Sequence, residues 1–148
     1  MDTNSSVARE ALRSIAVKVE LSSGNIEPLL HQVRHALAAL LREGRSTVID
    51  LKSIPLAPGE EDRILQALGG GEIHATFSVF GASEIAETAF PGVWIVTHRD
   101  ERSAVQARFI EITRVPEILC SQTPDILAGL DRLCASLGLG EVTGQGDR

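Results

Sequence analysis

Two histidines one helical turn apart are the first residues in this sequence whose spacing could support chemistry. His31 and His35 stand at positions i and i+4 of a segment with helical periodicity, the spacing at which two imidazoles can bind one metal ion. In a zinc protease with this spacing, a glutamate next to the first histidine is the general base, whereas Gln32 carries an amide that cannot accept the proton. No third ligand follows at a diagnostic spacing. We keep His31 and His35 as candidate Ni²⁺ or Zn²⁺ ligands against the simpler interpretation of two solvated side chains, and predict no cofactor.

Acid and base groups for catalysis are few. His74 and His98 fall on predicted strands, where Glu84, Glu87 or Glu111 could approach them. Neither cysteine has a nucleophile motif around it, and no serine lies in a GxSxG sequence. We therefore predict no enzymatic activity, with a metal-delivery protein or a small enzyme using these histidines and glutamates as the alternative.

Residues 87–94 (ETAFPGVW) form the most distinctive segment. Pro91 and Gly92 suit the two central positions of a type II turn, in which the glycine supplies a positive φ, and a strand then begins at Val93. Trp94 is the only tryptophan of the chain. Either it anchors the sheet to a helix in the core, or it is an exposed anchor for another protein.

Glu111 raises a question of burial, because strict alternation places it on the same strand face as several apolar residues. An unpaired carboxylate there would be costly. Either Ile110 and Ile112 belong to a second buried face, with or without a bulge, or the carboxylate has a specific structural or binding role.

Hydrophobic periodicity of 3.6 residues predicts three helices, at residues 26–41, 58–68 and 123–137. Asn25 and Thr123 are the expected N-caps of the first and third helices, and Pro58 is expected at the first position of the second. Glycines end all three. The apolar side of each helix is expected to face the core.

The predicted strands cover residues 15–21, 47–51, 73–79, 93–98 and 105–113. Residues 73–79 alternate strictly, which predicts one buried face. A charged connection over residues 99–103 has hairpin length. The order predicts one α+β domain, with an antiparallel or mixed sheet of about four or five strands and about three helices packed mainly on one face.

The composition favours a protein partner. The chain has 148 residues, of which 43% are hydrophobic and 23% charged, and a net charge of −6. That charge repels phosphate backbones and anionic lipid, so no nucleic acid or membrane is predicted as a partner. The N-terminal residues lack the features of an export signal, and the longest apolar run is too short to cross a bilayer. We predict a cytoplasmic protein.

Four blocks carry a resemblance to a known family: residues 50–56 (DLKSIPL), 71–73 (GEI), 87–94 (ETAFPGVW) and 109–119 (FIEITRVPEIL). In this order they resemble the HupH/HyaF family of hydrogenase expression and formation proteins, over residues 26–138. The predicted division is then an N-terminal extension with a candidate added strand (residues 1–22), the HupH-like domain (residues 23–139) and a flexible tail (residues 140–148).

The resemblance implies an accessory protein or chaperone for [NiFe] hydrogenase maturation, which binds an immature hydrogenase subunit or another maturation protein and has no established enzymatic activity. By type and position, we predict that six residues of these blocks contribute to binding: Glu87, Pro91, Gly92, Trp94, Glu111 and Pro116. A homodimer formed through a sheet edge is a further candidate assembly.

Overall fold

The computed structural model describes Gly24, residues 26–78 and residues 81–140. The predicted strand at residues 15–21 and the predicted cap Asn25 lie outside the described residues, as does the tail from residue 141. The helices are α1 (Ile26–Glu43), α2 (Glu60–Leu68) and α3 (Thr123–Ser136), and the strands are β1 (Thr47–Asp50), β2 (His74–Ser78), β3 (Ala82–Glu87), β4 (Val93–Arg99) and β5 (Val105–Ile112). The predicted α+β class is confirmed.

The strands form one antiparallel sheet in the order β1-β5-β4-β3-β2. Strands β2 to β5 follow one another as a meander, and β1 pairs with β5, so β1 and β2 are the two edges. The chain divides into two compact units at residue 114. The first holds the sheet with α1 and α2, and the second holds α3; each is described by itself.

The core of the first unit lies between the sheet and its two helices. Buried residues recur at three- and four-residue intervals along α1, which is the stripe that the sequence predicts. They form one cluster with residues of α2, the sheet and the segment after β1: Ile26, Leu29, Val33, Ala36, Leu40, Ile49, Leu51, Ile64, Leu68, Val93, Ile110 and Ile112.

Helix α2 begins two residues later than predicted, because Gly59 has a left-handed conformation (φ 84°) and breaks the helical path. Pro58 is therefore outside the helix. The buried side chain of Glu60 folds back, and its carboxylate accepts a hydrogen bond from the Ala57 N–H at 2.7 Å. This contact satisfies a backbone donor just before the helix, as a capping side chain does.

Strand β1 ends at Asp50, one residue earlier than predicted, since Leu51 begins a short 3₁₀ helix (Leu51–Ser53). Asp50 caps it by accepting hydrogen bonds from the Ser53 hydroxyl at 2.7 Å and the Lys52 N–H at 2.9 Å. These bonds, with Ser53 contributing most, hold the pKa of Asp50 below its ordinary value. The Asp50 carboxylate therefore has a structural role, as the cap of the 3₁₀ helix within residues 50–56.

The β2–β3 hairpin departs most from the sequence prediction. Strand β3 was not predicted, because alanine, serine and glutamate dominate it and only Ile85 is fully buried. The predicted buried face of β2 is wrong: Ile73 and Phe77 are exposed. Alternation correctly predicts a strand, but β2 is a sheet edge.

Strand β5 is buried on one face at Ile110 and Ile112 and half-buried on the other, and no bulge lies beside Glu111. Its register with β4 is continuous from Ile112 to Ala107, and the irregularity comes later, next to Arg99. Ile110 and Ile112 belong to the core under α1, while Phe109 and Glu111 point to the opposite face. The face with Phe109 and Glu111 is half-buried, so the expected second buried face at Ile110 and Ile112 is present without a bulge, but burial on both faces is only partial.

In the second unit, α3 begins at Thr123 with Gln122 as its N-cap and Pro124 in its first turn. Thr123 is therefore the first helical residue and not the cap. The expected burial of its apolar side is wrong, since Cys134 alone among the described residues of this helix is buried. Periodicity specifies an amphipathic helix, but not what covers its apolar side. The exposed members are Ile126, Leu127, Leu130, Leu133 and Leu137.

Replacing Ile110 by alanine should lower the free energy of unfolding by about 3 kcal/mol, because it leaves a cavity in the core cluster. Ile73→Ala, at an exposed isoleucine, should cost less than about 1 kcal/mol. Urea denaturation followed by tryptophan fluorescence would measure both, since the single tryptophan is buried. Equal losses for the two variants would contradict the assignment of the core.

Candidate protein-binding site

The connection between β3 and β4 contains the type II turn that the sequence predicts. The Val93 N–H donates to the Phe90 carbonyl at 3.0 Å, which closes the four-residue turn around Pro91 and Gly92. Gly92 has a φ of 88°, as the second central position of a type II turn requires. We call Ala89, Phe90 and Pro91 the Phe90 turn.

Hydrogen bonds hold the Phe90 turn to the hairpin that carries it. The Thr88 N–H donates to the Val93 carbonyl at 3.0 Å, and the Phe90 N–H donates to the Thr88 hydroxyl at 3.1 Å. Thr88 is a buried polar residue, and its hydroxyl stabilises the turn from the inside. The backbone of the turn therefore has little freedom to rearrange.

Neighbouring elements hold the same turn from two sides. The Ala89 N–H donates to the carbonyl of Leu68 at the end of α2 at 2.9 Å, and the Thr113 N–H donates to the Gly92 carbonyl at 2.9 Å. A Cβ atom on Gly92 would lie 3.4 Å from Leu37 Cδ2, so the turn packs on the C-terminal half of α1. The sheet and both helices of the first unit thus support it.

The outer surface of the turn is apolar. Ala89, Phe90 and Pro91 are all exposed, and 39% of Phe90 is accessible. Leu41, one helical turn after Leu37 on α1, is exposed as well. A supported phenylalanine next to a proline is the kind of rigid apolar anchor found in protein interfaces.

Three of the predicted binding residues form one row across the sheet. Trp94 on β4 is paired with Glu87 on β3 and with Glu111 on β5, and their side chains share the face opposite α1. Both glutamates are half-buried. Only 4% of Trp94 is accessible, and its indole N–H donates to the Thr113 carbonyl at 3.1 Å. Trp94 is therefore an interior residue, and its indole is bonded to the segment that also holds the turn.

Gly71, the first residue of the GEI block, packs against the backbone that leads into the Phe90 turn. The Gly71 N–H donates to the Glu87 carbonyl at 2.7 Å. A Cβ atom on Gly71 would lie 2.6 Å from the Thr88 carbonyl oxygen and 2.9 Å from Glu87 Oε2. Only glycine allows this close approach of two backbones.

The structure brings most of the predicted site residues to one end of the sheet. Pro91 is exposed at the turn and Gly92 lies beside it, while Glu87, Trp94 and Glu111 form the row behind. Pro116 is buried and belongs to the second unit. A role of these residues in binding stays a prediction.

The exposed apolar residues of this end were not among the predicted site residues. Ala89 and Phe90 lie inside the ETAFPGVW block, and Leu41 is the last apolar residue of the α1 stripe. The one available signal was position, because a residue directly before Pro-Gly stands at the corner of a turn.

Three of the histidines contact different neighbours in the structure. His31 Nε2 lies 3.8 Å from Glu27 Oε1, and His35 Nε2 lies 3.2 Å from a guanidinium nitrogen of Arg34. His98 Nδ1 lies 2.8 Å from the Ser83 hydroxyl oxygen across β3 and β4. Among the described residues, no group of three histidine, cysteine, aspartate or glutamate side chains lies close enough together to hold a metal ion.

The fold and this site define a small α+β domain with a braced apolar turn at one end of its sheet. None of the described helices is long and apolar enough to cross a bilayer. Residues 24–139 match the family described as HupH hydrogenase expression protein, C-terminal conserved region, and the chain belongs to this family. The resemblance seen in the sequence is confirmed.

Individual relatives agree with this assignment. The chain is 28% identical over 100 residues to the hydrogenase expression/formation protein HoxQ of Azotobacter vinelandii, covering 68% of this chain and 34% of that protein. It is 26% identical over 111 residues to the hydrogenase expression/formation protein HupQ of Azotobacter chroococcum mcd 1, covering 74% and 39%. The chain thus spans little more than a third of the length of these curated relatives.

A solved structure shares the fold. The hydrogenase expression protein HupH from Thiobacillus denitrificans ATCC 25259 superposes with a TM-score of 0.75 and 41% sequence identity, covering 78% of this chain and 97% of that chain. The α+β architecture is therefore that of a HupH protein.

Gly92→Ala should lower the free energy of unfolding by about 1–2 kcal/mol, because alanine is strained at a positive φ. Gly70→Ala is the matched control, since a Cβ atom there meets nothing within 4 Å and Gly70 has no positive φ. Chemical denaturation would measure both. A Gly92→Ala variant as stable as Gly70→Ala would contradict the strained turn.

Proposed function

We propose that this domain is an accessory protein of [NiFe] hydrogenase maturation that acts by binding another protein through the Phe90 turn. One observation carries the proposal: an apolar turn is exposed while hydrogen bonds from Thr113, from the end of α2 and from its own hairpin hold its backbone in place. Its function is to hold a partner, without catalysis.

The rigidity of the turn favours binding on thermodynamic grounds. Association costs conformational entropy whenever a loop must be ordered, and this loop is already ordered by its contacts. Phe90 and Pro91 then offer apolar surface that a partner can cover at little further cost. Glu87 and Glu111 border the same end of the sheet and are proposed to supply polar contacts around this apolar centre.

The proposed partner is an immature hydrogenase structural subunit or another hydrogenase maturation protein. Family membership and the names of the relatives, which are hydrogenase expression and formation proteins, support this choice. A subunit that awaits its cofactors exposes apolar surface, and a binding protein that covers this surface stabilises the subunit by mass action. We place this step in the cytoplasm, before the subunits are assembled.

Trp94 is proposed to act through the turn and not by direct contact. It is buried, and its indole bonds to Thr113, whose own N–H holds Gly92. Trp94→Ala would open a cavity that costs on the order of 3–5 kcal/mol, so lost binding in that variant would not separate contact from folding. The exposed Phe90 provides a cleaner test.

The tagged full chain should recover a hydrogenase subunit or maturation protein when these candidates are expressed separately and passed over it. Phe90→Ala should reduce recovery by about tenfold or more, as removal of a central aromatic anchor does. Phe77→Ala is the matched control, since Phe77 is 37% accessible against 39% for Phe90 but lies on the β2 edge.

Folding of both variants would be checked by circular dichroism and by Trp94 fluorescence. Loss of recovery with Phe90→Ala alone supports the Phe90 turn as the contact. Equal recovery by wild type and a folded Phe90→Ala variant would remove the turn from the interface, and recovery of none of the candidates would contradict the proposed partners.

A further inference from the structure

The end of the first unit that carries the Phe90 turn also carries three exposed arginines. Arg42 lies in the last turn of α1, Arg45 follows two residues after the helix ends, and Arg114 comes two residues after the end of β5. The whole chain has a net charge of −6, so a group of positive charges at this end runs against the charge of the molecule. We call these three residues the arginine cluster.

Strand register brings two members of the arginine cluster to the same place. The Ser46 hydroxyl donates to the Thr113 hydroxyl at 3.0 Å, one position beyond the last pair of β1 and β5. The next pair in this antiparallel register is Arg45 with Arg114. Like charges directly opposite each other are unfavourable, and anionic groups placed nearby relieve the repulsion.

The same contact joins the arginine cluster to the Phe90 turn. The Thr113 N–H donates to the Gly92 carbonyl at 2.9 Å. On α1, Arg42 directly follows Leu41, whose side chain is 76% accessible. The apolar centre of the candidate binding site is therefore bordered by guanidinium groups on the side of α1 and β5.

Carboxylates of the domain compensate only part of this positive charge. A guanidinium nitrogen of Arg45 lies 3.1 Å from Glu43 Oε2, and both side chains are more than half exposed. Among the residues that the structure describes, no ion pair joins Arg42 or Arg114 to a carboxylate. The two glutamates of the row across the sheet lie on the face opposite α1. Two exposed positive charges thus remain for a partner.

We propose that this end of the domain binds an acidic protein surface, in which carboxylates surround an apolar side chain. The inference rests on the proposed function, because the apolar side chain covers the Phe90 turn. Carboxylates opposite the arginine cluster form charge-assisted hydrogen bonds, for which the planar guanidinium group is well suited. Opposite charges across an interface also speed association and discriminate between partners. A nucleic acid fits less well, since the net charge of the chain repels phosphate and the centre of the site is apolar.

The double variant Arg42→Gln/Arg114→Gln tests the charge complementarity against a hydrogenase subunit or maturation protein recovered by the full chain. At about 50 mM NaCl it should raise the Kd about tenfold, because two attractive contacts are lost. At about 500 mM NaCl the increase should fall below about twofold, because salt screens the attraction that the wild type retains.

Arg102→Gln is the matched control, since Arg102 is an exposed arginine in the connection between β4 and β5, at the other end of β4 from the Phe90 turn. It should leave the Kd unchanged at both salt concentrations. Circular dichroism would confirm that each variant is folded.

A synthetic peptide separates failure of this inference from failure of the proposed function. The probe has two leucines between glutamates, the control peptide has lysines in place of the glutamates, and each is titrated into the isotope-labelled full chain. The acidic peptide alone should shift the NMR amide signals of residues 41–46, 89–92 and 113–114. If these shifts occur while no candidate hydrogenase protein is recovered, the acidic-partner surface is supported and the hydrogenase partner is contradicted.

Equal Kd values for the wild type and the folded double variant would overturn the proposal. Equal shifts with the two peptides would overturn it as well. So would binding of a DNA duplex that depends on Arg42 and Arg114, because the arginine cluster would then serve a nucleic acid.

Discussion

Burial of Ile110 and Ile112 on one face of β5 is the constraint on which the first unit depends. Ile110 and Ile112 lie in the core beneath α1, while Phe109 and Glu111 face the other side of the sheet. Because β5 also pairs with β1 and β4, it fixes the register of both neighbours. Thr113, directly after this strand, then bonds to the Gly92 carbonyl through its N–H and to the Trp94 indole through its carbonyl. The position of the Phe90 turn follows from the packing of β5.

This dependence supports the proposal that the candidate site is a surface for binding. Its buried members serve to hold backbone: the Thr88 hydroxyl accepts from the Phe90 N–H, and Gly71 lets Glu87 approach closely. The exposed members are apolar side chains at a turn. Aromatic and aliphatic groups offer contact area and no reactive atoms, so the site is suited to holding an apolar surface of another protein. Its polar neighbours Glu87 and Glu111 are placed by strand register on either side of Trp94.

Local patterns predicted much of the fold. The stripe of α1, the strands β4 and β5 and the turn at Pro91-Gly92 depend on side-chain period and on φ preferences, which can be read from neighbouring residues. Strand β3 was missed because its alanines, serine and glutamates have little strand preference of their own, and pairing with β2 and β4 makes it a strand. Whether Phe77 and the apolar side of α3 are exposed depends on which other elements cover them. Hydrophobic periodicity carries no information on this, so their exposure could not be predicted. The row of Glu87, Trp94 and Glu111 likewise requires the register of three strands. The type and position of Phe90 were visible in the sequence, but its exposure was not.

Hydrogen–deuterium exchange of the full chain, alone and with a copurified hydrogenase subunit or maturation protein, would locate the contact surface most directly. With the partner bound, peptides covering residues 86–94 and 37–44 should exchange more slowly, because the Phe90 turn and the end of α1 become covered. Peptides covering residues 72–78 of the β2 edge should exchange at unchanged rates. Protection confined to the β2 edge or to α3, with residues 86–94 unaffected, would contradict binding through the Phe90 turn.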